Sequence, residues 1–199
     1  MCNLPESHLD SDSPPNSQLI MSSTSDFPSL GSLEFLPYIN DAGALPDRLQ
    51  NQIGIYAIFD ESQVLQFVGY SRDIYLSLKQ HLVRQPEHCY WVKATTIDKP
   101  NRTFLEGVQS AWIAENGSTP TGNAEAKSVW LDPILTNHAM TAAESDSFDD
   151  LDGLAQIKLL KQVARRVEET IFTKLQQRGV KTEIRFNPKL KEQGLLDLK

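Results

Sequence analysis

Two runs of branched and aromatic residues, Ile53-Gly54-Ile55-Tyr56-Ala57-Ile58-Phe59 and Val64-Leu65-Gln66-Phe67-Val68-Gly69, flank the short polar stretch Asp60-Glu61-Ser62-Gln63. Such runs favour extended backbone, because branched and aromatic side chains pack well on a pleated surface. Joined by so short a polar connection, they pair as an antiparallel hairpin. Ser71 or Asp73 can cap the helix that follows, and Ile74, Leu78, His81 and Leu82 recur at helical spacing until Pro86. Residues 89–97 read as a third strand. Asn101 or Thr103 caps a second helix, with Phe104, Leu105, Val108, Trp112 and Ile113 on its inner face and Asn116-Gly117 at its end. The predicted class is α+β, a small antiparallel three-stranded sheet in the order β-β-α-β-α, flanked by helices.

The flanks read differently. Residues 1–30 are rich in Ser, Pro, Asp and Asn. They cannot bury enough surface to offset their ordering entropy, which predicts a disordered tail. Leu33, Phe35, Leu36 and Ile39, broken by Pro37 and Pro46, predict an extended lead-in docked on the edge of a domain spanning 31–123. Residues 124–153 are polar and acidic, with Asp146, Asp149, Asp150 and Asp152, and predict a mobile connector. In 154–199, Ile157, Leu160, Ala164, Val167, Ile171 and Leu175 form one stripe of a long amphipathic helix ended by Gly179. Residues 180–186 alternate and predict a short final strand, the whole segment packing on the domain.

Composition narrows the function. The formal net charge is -7 over 199 residues, whereas nucleic-acid binders show a basic balance or patch. That counts against strong nonspecific nucleic-acid binding, though charge can be locally segregated. The two cysteines, Cys2 and Cys89, are too far apart for a disulfide framework or a Cys-rich zinc site and suit a reducing compartment. No apolar run approaches the roughly 18 residues needed to span a bilayer, and no secretory signal pattern opens the chain. The expectation is a cytoplasmic protein with no membrane partner.

Gly54-Ile55-Tyr56 and Phe67-Val68-Gly69 stand at hairpin spacing, Gly69 leads into a helix, and His81 lies twelve residues beyond it. Glu106 falls in the middle of the second helix, and Pro120 and Asn123 make a Pro-x-x-Asn. In this order and spacing the set resembles the two-part signature of the GIY-YIG nuclease superfamily, over about residues 53–123. Leu65-Gln66-Phe67-Val68-Gly69, Ser71-Arg72, Val92-Lys93 and Pro86-Glu87-x-Cys89 resemble a divergent cyanobacterial and plastid branch, which includes the N-terminal domain of chloroplast monothiol glutaredoxins. The chain has no Cys-Gly-Phe-Ser motif, so no glutaredoxin activity follows.

The resemblance implies roles. Tyr56 is the tyrosine that helps deprotonate an attacking water, Glu106 the ligand of one Mg or Mn ion, and His81 an accessory phosphate or base group. Phe67 replaces the second tyrosine. The phosphate-binding arginine is expected eight residues after Gly69, where this chain has Ser77. Serine lacks the fixed cationic fork, and loss of one such contact costs a factor of about 10² to 10³ in rate. Arg72 and Lys79 are the nearby phosphate or nucleic-acid candidates, Lys79 pointing about 200° away from Ser77 around the helix. Cys89 is the redox candidate.

Each residue also has a plain reading. Tyr56 can pack in the hairpin, Glu106 can be solvated, His81 can be a satisfied half-buried histidine, and Cys89 can be a small core residue. Trp91, Trp112 and Trp130 read as packing residues. Lys158, Lys161, Arg165 and Arg166, followed by Glu168 and Glu169, read as a mixed solvated helix face. Three functional readings stay open. The first is a metal-dependent DNA endonuclease of low activity, using Tyr56 and Glu106. The second is a non-catalytic module that binds DNA or a protein partner. The third is a redox-regulated interaction module through Cys89.

Overall fold

The computed structural model describes residues 28–199, so the expected disordered tail lies outside the described residues except for its last three positions. A short strand β1 (Leu36–Pro37) precedes the hairpin of β2 (Ile53–Phe59) and β3 (Leu65–Ser71). Helix α1 (Ile74–Arg84), strand β4 (Trp91–Ile97) and helix α2 (Arg102–Glu115) follow. The four strands make one antiparallel sheet in the order β1-β4-β2-β3. The three predicted strands are present and the α+β class holds. The fourth strand comes from the lead-in, where Leu36 pairs with Val92 and Pro37 with Trp91. Proline is tolerated there because an edge strand does not need its missing N–H for the ladder.

Alternation along β2 separates two cores. Tyr56, Ile58 and Phe67 pack with Ile74, Leu78 and Leu82 of α1. Ile55, Ala57, Phe59 and Val68 pack with Leu105, Val108 and Trp112 of α2. The sheet therefore lies between the two helices, each buried by its apolar stripe. Asp73 is the α1 cap, accepting from Leu76 N–H at 3.1 Å. Asn101 is the α2 cap, accepting from Phe104 N–H at 3.0 Å. The start of the described chain is stitched to the α2 side, where Leu30 and Gly31 N–H donate to the Glu115 carboxylate at 2.7 and 2.6 Å. The buried Lys93 donates to the Leu30 carbonyl at 3.0 Å and lies over the Phe35 ring.

The edge of β3 is closed by a side chain. Asn123 accepts from Val68 N–H through Oδ1 and donates to Val68 C=O through Nδ2, both at 2.7 Å. This places the Pro120-x-x-Asn123 loop flat against the strand. Gly122 makes that approach possible, since a Cβ there would sit 2.5 Å from the Gln66 carbonyl.

Residues 124–153, expected as a connector without elements, carry helix α3 (Lys127–Leu131), strand β5 (Ile134–Leu135) and helix α4 (Ala142–Ser147). Thr141 and Glu144 form a capping box on α4. Helix α5 (Gly153–Gln177) is the long C-terminal helix, capped by Asp152 and followed by Gly179 at φ 72°. Residues 180–186 are not a strand. They present Val180, Ile184 and Phe186 to the core, but the only β-bridge there is Phe186 with Leu198. Alternation supplied a buried face, yet no neighbouring strand supplied a ladder, and without one an extended segment has no sheet to join. The final strand is instead β6 (Leu195–Leu196), which follows helix α6 (Pro188–Lys191) and pairs with β5.

Candidate functional site

Tyr56 and His81 meet. The register of the hairpin points Tyr56 toward α1, and the third turn of α1 points His81 back toward the sheet. Tyr56 Oη lies 2.8 Å from His81 Nε2, with the two side chains 3% and 2% exposed. Gly69, opposite Tyr56 in the ladder, leaves the room this pair needs, since a Cβ there would lie 2.5 Å from the Phe67 ring and 2.9 Å from Tyr56 Oη. Burial pushes the Tyr56 phenol well above its ordinary value, and the Ser77 hydroxyl and Arg84 only partly oppose this. Burial lowers His81 from 6.5 to about 3, and the positive charge of Arg84 adds to that shift. The pair is thus a neutral phenol hydrogen-bonded to a neutral imidazole.

Helix α3 closes the pair from above. Trp130 stacks on Phe67 with ring centroids 5.2 Å apart and planes within 5°, and its ring lies 5.4 Å from His81. Its backbone carbonyl accepts from Arg84 Nη1 at 2.9 Å. Arg84 Nη2 bonds both carboxylate oxygens of Asp197 at 3.0 Å, with the Arg84 side chain only 5% exposed. The packing role read for Trp130 is therefore correct, and its position makes it the lid of the site. Sequence reading missed Arg84 and Asp197. Arg84 ends α1 just before Pro86, and nothing local marks it as the partner of a carboxylate 113 positions later.

The remaining candidates are dispersed. Ser77 stands beside Tyr56, and its hydroxyl donates to Ser71 Oγ at 2.8 Å. Arg72 is exposed and lines a different hollow with Tyr70, Asn101 and Arg102. Lys79 lines another, with Glu183, Arg185 and Lys199. Neither cation takes the place of the missing arginine. The cation on the wall of the hollow that reaches Tyr56 is the exposed Lys127, beside Gly69, Gln109 and Asn123 in a space of about 480 Å³.

Helix α2, which carries Glu106, packs on the face of the sheet opposite α1, yet its Gln109, one turn beyond Glu106, lines the hollow that also reaches Tyr56 and Tyr70. Glu106 Oε1 accepts from Arg102 Nε at 2.7 Å and from Tyr70 Oη at 3.0 Å. Arg102 and then Tyr70 hold its carboxyl below the ordinary value. Among the described residues no three His, Cys, Asp or Glu side chains gather as a metal centre. The Glu106 carboxylate is partly exposed, with Oε1 engaged by the Arg102 guanidinium.

Cys89 is fully buried among Tyr38 and its neighbours, and burial pushes its thiol up to about 12. Arg178 donates to the Cys89 and Pro86 carbonyls and fixes the chain there. A thiol so protonated and enclosed has little of the thiolate character that redox chemistry needs. Of the basic cluster on α5, Lys161 pairs with Glu192 at 3.0 Å and Arg166 with Glu144 at 2.7 Å, while Lys158 and Arg165 make no ion pair among the described residues.

No protein-family model matches the chain. A partial relative exists. Over 107 residues the chain is 36% identical to the bifunctional monothiol glutaredoxin-S16, chloroplastic, of Arabidopsis thaliana. The match covers 52% of this chain and 35% of the relative, in its N-terminal part, so the chain spans about a third of the relative it matches. The relative's name denotes a glutaredoxin, a redox protein. The nuclease and hydrolase classes implied by the sequence signature are corrected accordingly. No helix among the described residues is long and apolar enough to cross a membrane.

Proposed function

We propose that this chain is a non-catalytic protein-interaction module on a GIY-YIG-like scaffold, in the branch that resembles the N-terminal domain of chloroplast monothiol glutaredoxins. One observation carries the reading. Tyr56 and His81 are nearly buried and bonded to each other beneath Trp130, with Ser77 where a phosphate-binding arginine would stand. A general base has to reach the proton it removes, directly or through one water. Here the phenol is 3% exposed and spends its hydrogen bond on His81. The hydrogen bonds of the Glu106 carboxylate go to Arg102 and Tyr70.

The partner we propose is a protein. The net charge of -7 and the ion pairs of Lys161 and Arg166 disfavour a polyphosphate backbone. A reducing compartment, the cytoplasm or a chloroplast of the kind in the relative's name, suits the free Cys89.

The test uses the full chain with supercoiled plasmid and manganese chloride. The expected result is nicking no greater than that of a Tyr56→Phe variant. Nicking by the wild type that disappears in that variant overturns the non-catalytic reading. A duplex-DNA titration at low salt distinguishes the partner class, since tight, steeply salt-dependent binding overturns the choice of a protein.

A further inference from the structure

The hollow that reaches Tyr56 has a neighbour. Tyr70 lines it, and Tyr70 also lines a second space of about 450 Å³ at the far end of β3, where Arg72 and Arg102 stand. The two spaces follow one another along the outer edge of β3, with Lys127 at one end and the two arginines at the other. Gly69 in the first and Arg72 in the second are separated by about 10 Å of extended backbone.

Charge is segregated on this edge. The chain carries a net charge of -7, yet Lys127 and Arg72 are exposed and neither makes an ion pair among the described residues. Arg102 is paired with Glu106. Two cations, one in each space, are thus left without a carboxylate, and a partner of opposite sign complements them.

The backbone says what shape that partner has. Val68 turns its N–H and C=O outward to Asn123. Outward and inward groups alternate along a strand, so Tyr70, two residues on, turns its own pair outward as well. On this side β3 is the last strand of the sheet, and among the described residues nothing bonds the Tyr70 N–H or C=O there. Unpaired edge groups of this kind accept an added strand. A nucleic acid has no backbone amide to offer them.

We infer that the edge of β3 binds an extended acidic peptide, which pairs with the Tyr70 backbone and directs carboxylates to Lys127 on one side and Arg72 on the other. The inference rests on the protein-interaction reading and names the chemistry of its partner.

The probe is a fluorescein-labelled, end-blocked peptide of alternating Glu and Thr, titrated with the full chain and read by anisotropy. Saturable binding is expected, and the matching peptide of Gln and Thr should bind about tenfold more weakly or worse. Lys127→Glu and Arg72→Glu alter exposed side chains and should each weaken binding about tenfold. Arg165→Glu makes the same change of charge at an exposed position on α5 and should leave binding unchanged. N-methylation throughout the peptide should abolish binding, because it removes the donor to the Tyr70 carbonyl. The inference is overturned by absent binding, by equal binding of the Gln peptide, or by undiminished binding of the methylated one. Equal weakening by all three variants overturns it too, as does no weakening by Lys127→Glu and Arg72→Glu. If plasmid stays intact and duplex DNA unbound, the interaction-module reading survives such a failure. Nicking, or tight and steeply salt-dependent DNA binding, removes that reading itself.

Discussion

Tyr56 Oη sits 2.8 Å from His81 Nε2 in a space that neither side chain shares appreciably with solvent. The contact joins the first long strand to the first helix. On the non-catalytic reading proposed above, it is a structural hydrogen bond between two groups that resemble catalytic residues.

Removing the phenol should show this directly. In Tyr56→Phe the imidazole loses its partner while the ring packing is kept. Unfolding by urea should reveal a loss of about 1–2 kcal/mol. An unchanged midpoint would mean the bond contributes nothing to the fold.

His81 also predicts an acid response. Its folded value is lowered from 6.5 to about 3. Above pH 6.5 the ring is neutral in both states and contributes no pH dependence. Below that, the unfolded chain takes up a proton that the folded chain refuses, so stability falls as pH drops from about 6.5 toward about 3. The steepest slope is about 1.4 kcal/mol per pH unit. The difference between wild type and His81→Gln, measured by denaturation at several pH values, should follow that window. A flat difference curve would show that the ring titrates normally.

Arg84 and Asp197 predict a larger loss. Asp197→Ala leaves a guanidinium buried without its carboxylate, which costs about 3–5 kcal/mol. Because Arg84 also holds the Trp130 carbonyl, tryptophan emission should shift to longer wavelength in the same variant. A loss under about 1 kcal/mol with unaltered emission would place the pair at the solvent surface in energetic terms.

Asn123→Ala removes both side-chain bonds to Val68. The expected loss is about 1–3 kcal/mol, accompanied by faster hydrogen exchange at the Val68 amide. Exchange as slow as in wild type would show that Gln109, which also donates to the Val68 carbonyl, suffices.

Cys89 should be silent toward thiol reagents. In a Cys2→Ser background the native protein should give no fast reaction with Ellman's reagent, and one thiol should appear on denaturation. Rapid reaction in the native state would restore Cys89 as a redox group.

Much of this was legible from residue order. The hairpin, both helices and their caps follow from short-range patterns: alternation on the strands, a period near 3.6 on the helices, and Asp73 and Asn101 at the starts. The Tyr56–His81 pairing was legible for the same reason, since both belong to consecutive elements of one unit. Residues 180–186 misled because alternation reports a buried face and not the presence of a strand to pair with. The Arg84–Asp197 pair and the Trp130 lid lay beyond reach, because they join segments that meet only after the C-terminal ribbon folds back. Motif spacing does not say on which side of a sheet a helix packs, so neither the face taken by α2 nor the engagement of Glu106 by Arg102 and Tyr70 was foreseen.

Asn123 has a consequence between molecules as well as within one. An outermost strand with free N–H and C=O groups is a template on which another chain can grow, strand by strand. By mimicking a neighbouring backbone at Val68, with Gly122 pressed against Gln66, the loop takes that template away. For crowded copies of this protein, the middle of this flank is already occupied where a neighbouring chain would otherwise begin to pair.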